Sequence, residues 1–165
     1  MTRFIFVKKL ALVAAVFSVL SGCATSPSGP VSVDKTVAAN PQLSTLNQLL
    51  KTAGLTDTLN GAGPFTLFAP SNEAFKAVPA KTMEELSKDP AKLKAVLLHH
   101  VVPAKAMAAD VKVGNVKTAG GTDLPLAKAG KLVTVDDAIV LQPDLVATNG
   151  VVHIVDRVLM PPVRR

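Results

Sequence analysis

The sequence predicts an α+β domain in which helices come first and short antiparallel strands follow. Up to Pro103 the apolar residues recur at helical spacing, whereas beyond Pro103 they alternate with polar residues. Turn-forming residue pairs divide this second half at hairpin-like intervals. With 165 residues, of which 48% are apolar and 18% are charged, the chain can form one packed domain.

The first half carries several signals for helix starts. Asn40-Pro41, followed by an apolar stripe from Leu43 to Ala53 and then by Gly54, predicts a capped amphipathic helix. The segment Pro64–Ala69 is typical of a short buried strand because of its β-branched and aromatic residues. Further helix starts are expected at Pro70-Ser71, at a capping box formed by Thr82–Glu85, and at Asp89-Pro90.

The second half is predicted to be a series of hairpins. Lys131–Val135 should pair with Ala138–Leu141, and Asp144–Thr148 should pair with Val151–Val158. Asn149-Gly150 is the strongest turn signal, because both residues tolerate the positive φ that a type I′ turn requires. The other turn signals are Gly114-Asn115, Gly120-Gly121 and Asp136-Asp137.

Residues 1–22 have the pattern of a secretory signal peptide. Basic residues precede the apolar stretch Leu10–Leu20, which is shorter than the roughly 20 residues that a membrane-spanning helix needs. The stretch ends in Leu20-Ser21-Gly22-Cys23, which resembles the bacterial lipobox. This resemblance implies cleavage before Cys23 and a lipid on its sulfur, so that the membrane is one expected partner. The alternative is an ordinary small-residue cleavage site beside a cysteine without a role.

The signal is followed by a predicted tether and a single domain. Cys23 is the only cysteine, so no disulfide can form within the chain. Residues 23–33 form the lipidated cysteine and a flexible segment rich in small residues and proline; residues 34–162 form the domain, and residues 163–165 a short tail. Ala24 stands where Asp would resemble an inner-membrane retention signal. The sequence therefore favours a bacterial cell envelope location at the outer membrane.

Charge and aromatic content argue against nucleic acid as a partner. The formal net charge is +6, but Arg3, Lys8 and Lys9 in the predicted signal supply half of it. The remaining +3 is not gathered into a basic run. The chain has no Trp and no Tyr, and it has only six Phe, so it lacks the aromatic platforms on which bases stack.

Three segments in order resemble the fasciclin-like domain family. Thr66–Phe75 is similar to the family's first conserved block, Leu98–Pro103 to its Tyr-His block, and Asn149–Asp156 to its last block. The resemblance implies a wedge of antiparallel strands with a cluster of helices on one side. It also implies a non-enzymatic role in adhesion or surface interaction. His99 departs from the family pattern, since Tyr is usual at this position.

Gln142–Val146 resembles the Glu-Pro-Asp-Ile-Met stretch at which some animal family members contact integrins. Pro143 and Asp144 are kept and Leu145 replaces Ile, so these three residues are the candidate partner-binding site. Because Pro143 cannot donate a ladder hydrogen bond, its strand should begin at a sheet edge or a bulge, with Asp144 exposed. The alternative is an ordinary edge strand. Arg-Gly-Asp is absent, and integrin binding is not carried over.

The histidines are candidates for a structural role or for a ligand site. His99 and His100 are neighbours on a predicted helix and point about 100° apart, so they do not suit one shared ion. We expect His100 and His153 to be buried, hydrogen-bonded residues that join the helix end to the final strand. The alternative is a site formed by His100 and His153 in a periplasmic small-ligand or metal-binding protein.

No constellation of catalytic residues is recognisable in the sequence. Ser71, His153 and Asp156 could be combined into a triad on paper, but there is no G-x-S-x-G elbow. His153 and Asp156 would also point to opposite faces of one strand. We therefore predict that the protein is not an enzyme and needs no cofactor. The leading hypothesis is a lipid-anchored adhesion or interaction module of the cell envelope that binds an unknown protein or matrix partner.

Overall fold

The computed structural model describes residues 31–130 and 132–161. The helices in these ranges are α1 (Val33–Ala39), α2 (Ser44–Thr52), α3 (Thr56–Leu59), α4 (Asn72–Ala77), α5 (Ala80–Lys88) and α6 (Pro90–His99), with a 3-10 turn at Pro41–Leu43. The strands are β1 (Phe65–Pro70), β2 (Val101–Val102), β3 (Gly114–Lys117), β4 (Asp123–Ala129), β5 (Leu132–Val135), β6 (Ala138–Ala147) and β7 (Gly150–Val155). The predicted α+β class is confirmed.

The strands form one seven-stranded sheet in the order β2-β1-β7-β6-β5-β4-β3. Neighbouring strands are antiparallel except β1 and β7, which are parallel and pair from Phe65 opposite Gly150 to Pro70 opposite Val155. This pair brings the strand of the helical half against the last strand of the chain. The fold is therefore a wedge that is mostly antiparallel, with one parallel pair formed by the second and third strands in this order.

Two hydrophobic cores lie on opposite faces of this parallel pair. Leu67 and Ile154 belong to the core that the helices cover, whereas Phe68 and Val155 belong to a second core formed mainly by strands. Successive residues of a strand point to opposite faces, so β1 and β7 serve both cores. Every buried side-chain nitrogen or oxygen in the described residues has a hydrogen-bond partner. The described residues thus form two hydrophobic cores in which the buried polar side chains have hydrogen-bond partners.

Side-chain capping explains three of the helical starts in the described residues, those of the 3-10 turn, α4 and α6. Asn40, Ser71 and Asp89 each accept hydrogen bonds from backbone N–H groups in the first turn that follows, as the sequence predicts. The bonds from Lys92 and Ala91 hold the pKa of the Asp89 carboxyl below its ordinary value. Gly54, with φ +64°, lies just beyond the end of α2, where the left-handed conformation suits glycine.

The predicted capping box at Thr82–Glu85 is wrong. Helix α5 begins at Ala80 after Pro79, and no side chain caps its first turn. Thr82 is consequently already inside the helix. The helix begins at Ala80, directly after Pro79 and two positions before Thr82, whose side chain suggested the start.

The predicted strand pairings are present, but two turn assignments are wrong. Gly114-Asn115 begins β3 rather than forming a turn. Ala138–Leu141 and Asp144–Thr148 were expected as separate strands, whereas Ala138–Ala147 is one long bulged strand that pairs with β5 and β7. In the hairpin after it, Ala147 pairs with Gly150, so the turn is Thr148-Asn149 and neither Asn149 nor Gly150 has a positive φ.

The requirement for glycine at position 150 comes from close packing. A Cβ atom at Gly150 would lie 2.1 Å from the backbone oxygen of Phe65 on β1. Asn149 beside it holds three parts of the chain together: its side chain accepts from Val33 and donates to the carbonyls of Leu59 and Gly61. The Asn-Gly pair therefore fixes α1, α3 and β1 against the hairpin.

The folded part begins slightly before the predicted boundary. Val33 was assigned to the tether, but it starts α1 and is fully buried, and the Val31 carbonyl accepts from the Thr148 N–H. The predicted signal peptide, Cys23 and the first part of the tether lie outside the described residues. Within those that are described, no helix has the length and apolar content needed to cross a bilayer.

Candidate functional site

Strand β6 is bent by two bulges at the segment that resembles the family's contact stretch. Its register with β7 shifts between Val140 and Gln142 and again between Gln142 and Leu145. Each shift leaves β6 with one residue more than its partner. Pro143 lies in the second bulge, where its missing N–H costs no ladder bond. Asp144 follows with φ 57°, a left-handed conformation that Asp tolerates better than most residues.

The expectation that Asp144 is an exposed carboxylate is wrong. Asp144 is half-buried, because the bulge turns it towards the segment after β2. Its Oδ1 accepts a hydrogen bond of 2.8 Å from the Ala108 N–H. Its own N–H donates to Nδ1 of His153 over 3.1 Å. Leu145 is also half-buried and packs against the core under the helices, whereas Pro143 is exposed.

His153 has both ring nitrogens engaged. Nδ1 accepts from Asp144, and Nε2 donates to the Ala106 carbonyl over 2.8 Å, which fixes a neutral tautomer. The ring stacks on Phe68 with a centroid distance of 5.5 Å. Burial lowers the pKa of His153, while the Ala106 carbonyl and the Asp144 charge oppose that shift.

His100 is bound in the same way at the end of α6. Its Nδ1 donates to the Val96 carbonyl over 2.8 Å, and its Nε2 accepts from the Leu159 N–H over 2.9 Å. The side chain is fully buried, and burial lowers its pKa to about 4. Because neither His100 nor His153 has a free lone pair, neither can bind a metal without giving up a backbone hydrogen bond.

The other candidate catalytic or metal-binding residues also hold backbone groups. Ser71 caps α4 through a bond to the Ala74 N–H, and Asp156 accepts from the Ile139 N–H over 2.7 Å. Ser71, His153 and Asp156 therefore do not form a catalytic triad, because each is hydrogen-bonded to a different part of the backbone. In residues 31–130 and 132–161, no three His, Cys, Asp or Glu side chains converge as a metal site.

The side of β6 that faces β5 is paired along only part of its length. The pairing with β5 covers Ala138 and Ile139, and in the described residues no strand pairs with β6 on this side beyond them. Leu141 and Val146 lie along this stretch with 60% and 51% of their surfaces exposed. Apolar side chains this exposed are typical of contact surfaces when they line a groove.

Two clefts accompany this side of β6, one on each side of Pro41. The cleft of about 380 Å³ is lined by Leu141 and by residues of the 3-10 turn and the start of α4. The cleft of about 420 Å³ is lined by Val146 and by residues of α1 and the loop after it. We call Leu141, Val146 and Pro41, together with these two clefts, the β6 groove.

Asn72 holds the wall of the β6 groove in place. Its side-chain amide donates to the Pro41 carbonyl over 2.9 Å and to the Ser44 hydroxyl over 3.0 Å, while its oxygen accepts from the Thr45 N–H over 3.0 Å. These bonds join the first turn of α4 to the 3-10 turn. Pro41 is therefore fixed between the two clefts without a bound partner.

The fold and these blocks of residues place the chain in the fasciclin domain family. The sequence model of this family, described as "Fasciclin domain", matches residues 41–161. The chain belongs to this family, which confirms the resemblance of its three segments.

Similar proteins come from bacteria and animals. Protein sll1483 of Synechocystis is 40% identical over 88% of this chain and 81% of its own length. Immunogenic protein MPB70 of Mycobacterium bovis is 37% identical over 86% of this chain and 81% of its own. Cell surface glycolipoprotein MPB83 of the same species is 36% identical over 86% and 71%. A solved FAS1 domain pair from the insect cell adhesion molecule Fasciclin I has a TM-score of 0.61 at 19% identity, covering 81% of this chain and 51% of that one, and shows the shared fold.

Proposed function

We propose that this protein is a non-enzymatic adhesion or interaction module of the bacterial cell envelope and that the β6 groove contacts its partner. The observation that carries the proposal is the exposure of Leu141 and Val146 beside two preformed clefts. Family membership supports the same role, since similar proteins include a cell surface glycolipoprotein and an insect adhesion molecule supplies the fold.

The partner's chemistry follows from the groove. Leu141, Val146 and Pro41 supply apolar contacts, and Gln42, Asn72 and Glu73 supply polar groups beside them. Apolar anchors surrounded by a polar rim are typical of protein–protein contacts. The two bulges interrupt the regular edge that an added strand would need. We therefore propose a protein partner that inserts apolar side chains into the clefts rather than extending the sheet.

The test is capture of partners from envelope extracts by the chain from Ala24 onward. Leu141→Ser with Val146→Ser should reduce capture at least tenfold, since each removes an apolar anchor. The melting temperature should hardly change, because both side chains are exposed in the folded chain. Val113→Ser is the matched control: Val113 is 72% exposed and does not line the β6 groove. Equal capture by the double variant and the parent would contradict the proposal.

We further propose that Cys23 carries the lipid that anchors the module, with the outer membrane as its location. The lipobox-like Leu20-Ser21-Gly22-Cys23 supports this, as does the similarity to a mycobacterial glycolipoprotein. Mass spectrometry should find a mature chain that begins with an acylated Cys23. The Cys23→Ser variant should lose this mass and leave the membrane fraction. An unmodified cysteine in the membrane-bound wild-type chain would refute the anchor.

A further inference from the structure

A third cleft lies away from the β6 groove and shares no lining residue with it. It has a volume of about 500 Å³ and is bounded by the α4–α5 connection and by the segment after β7. Its walls are mostly apolar, and the residues that form them are Ala74, Ala77, Val78, Pro79, Val158 and Met160. A cleft of this volume is in the range that holds a small organic ligand.

The polar groups of this cleft are few. Arg157 is exposed and Thr82 is half-buried, and both line the cleft. The ion pairs within the described residues join Lys76 to Glu73, Lys88 to Glu84 and Lys92 to Asp89. Arg157 is therefore paired with no carboxylate there. The carboxylate next to it in the chain, Asp156, is already bonded to the Ile139 N–H.

We propose that this cleft binds a carboxylate with a single alkyl chain. The guanidinium of Arg157 can hold the carboxylate through two parallel hydrogen bonds, which is the geometry that favours Arg over Lys. Thr82 adds a hydroxyl donor. The alkyl chain then lies on Val78, Val158 and Met160 and removes their apolar surface from water.

A fatty-acid-like ligand fits the cleft better than a peptide does. The backbone of a peptide brings several N–H and C=O groups that each need a partner when they leave water. Only two side chains of the lining, Arg157 and Thr82, are polar. A carboxylate with an alkyl chain has one polar end, which can bond to Arg157 and Thr82, while its alkyl chain contacts the apolar part of the lining.

The experiment is a titration of the chain from Ala24 onward with octanoate, followed through the methyl resonances. This chain contains all described residues, which close their own cores. Octanoate should shift the Val78, Val158 and Met160 methyls in a saturable way. Acetate, which lacks the alkyl chain, and octanol, which lacks the charge, should each bind at least tenfold more weakly.

Two variants test the two ends of the ligand. Arg157→Gln should weaken octanoate binding about tenfold, the effect of losing one charge-assisted pair. Ala77→Phe should block the alkyl end, because Ala77 is exposed at the cleft wall and a larger side chain there fills the space. Lys94→Gln, which removes a positive charge from an exposed position on α6, is the control and should bind like the parent.

Three results would overturn the proposal. The first is an absence of saturable shifts with octanoate. The second is equal affinity of the Arg157→Gln variant and the parent, with both melting alike. The third is tighter binding of a short apolar peptide with a free carboxyl terminus than of octanoate, which would assign the cleft to a peptide. The partner-capture experiment is independent, because none of these substitutions lies in the β6 groove.

Discussion

The two sides of the β6–β7 hairpin differ in how far they are paired and buried. On one side, β7 pairs with β1 along six residues, and all six residues of β7 are buried. On the other side, β6 pairs with β5 only at Ala138 and Ile139, and Leu141 and Val146 stay exposed. One hairpin thus carries both a fully buried strand and a strand with exposed apolar side chains.

Because of this difference, substitutions on the β7 side are expected to affect stability, whereas substitutions of Leu141 and Val146 are expected to affect partner binding. The β1–β7 side is held by backbone hydrogen bonds and contributes side chains to both cores. A substitution there should therefore lower the stability of the domain, and any loss of partner binding should follow from unfolding. The outer side of β6 contributes little to either core. Its bulges turn Asp144 and Leu145 inward and leave Leu141 and Val146 outside. Residues one or two positions apart on this strand therefore have opposite expected effects.

The largest effect is expected for Gly150→Ala on the β1–β7 side. The new Cβ would lie 2.1 Å from the Phe65 oxygen, so β1 and β7 must move apart. Overpacking of this kind should lower the free energy of unfolding by about 3 kcal/mol, measured by urea denaturation.

Gly120→Ala is the matched control for this substitution. A Cβ at Gly120 would meet its nearest atoms at 3.5 Å, which is ordinary van der Waals contact. The free energy of unfolding of the Gly120→Ala variant should match that of the parent within about 0.5 kcal/mol. If the Gly150→Ala and Gly120→Ala variants are equally stable, the close approach of Gly150 to the Phe65 oxygen is not the reason for glycine at position 150.

Local features of the fold could be predicted from the sequence, whereas the parallel pair could not. The caps at Ser71 and Asp89 depend on a few neighbouring residues and are visible in the sequence. The β1–β7 pair joins residues that are 85 positions apart, and no local pattern encodes that contact. The Asn149-Gly150 pair was assigned to a turn because the turn is its commonest local use.

The candidate site was predicted only in part for the same reason. A bulge moves side chains to the other face of a strand, so alternation cannot predict which residues of β6 point outward. The sequence predicts that a strand begins at a sheet edge or a bulge near Pro143; the bulge is present, but the strand begins earlier, at Ala138. The exposed Leu141 and Val146 were not predicted as contact residues. Their one signal in the sequence is that each is an apolar residue within three positions of Pro143.

The second largest effect is a loss of stability in acid through the buried His100, which lies between α6 and β2. Burial lowers the pKa of His100 from 6.5 to about 4 in the folded chain. As the pH falls below 6.5, the unfolded chain takes up the proton first, so this contribution is complete above pH 6.5 and is lost towards pH 4. Between pH 6.5 and 5 the free energy of unfolding should fall by about 2 kcal/mol from His100 alone.

Urea denaturation at a series of pH values measures this slope. His100→Gln is the informative variant, because glutamine can both donate and accept a hydrogen bond but does not titrate. It should be less stable than the parent at neutral pH and lose less stability on acidification. An unchanged slope in this variant would mean that His100 is not the group that takes up the proton.

The smallest effect is expected at Asp144, and it bears most directly on the comparison between the two sides of the hairpin. Asp144→Ala removes the acceptor of the Ala108 N–H and places a residue that disfavours φ 57° in the bulge. It should cost about 1 to 2 kcal/mol. Asp144→Asn keeps an acceptor oxygen and tolerates the same φ, so its cost should be smaller. Asp144→Gly relieves the φ but not the lost bond and should fall between the two. Thermal melting beside partner capture separates the two roles: if Asp144→Ala melts like the parent but captures no partner, the carboxylate belongs to the contact surface with Leu141 and Val146 rather than to the fold.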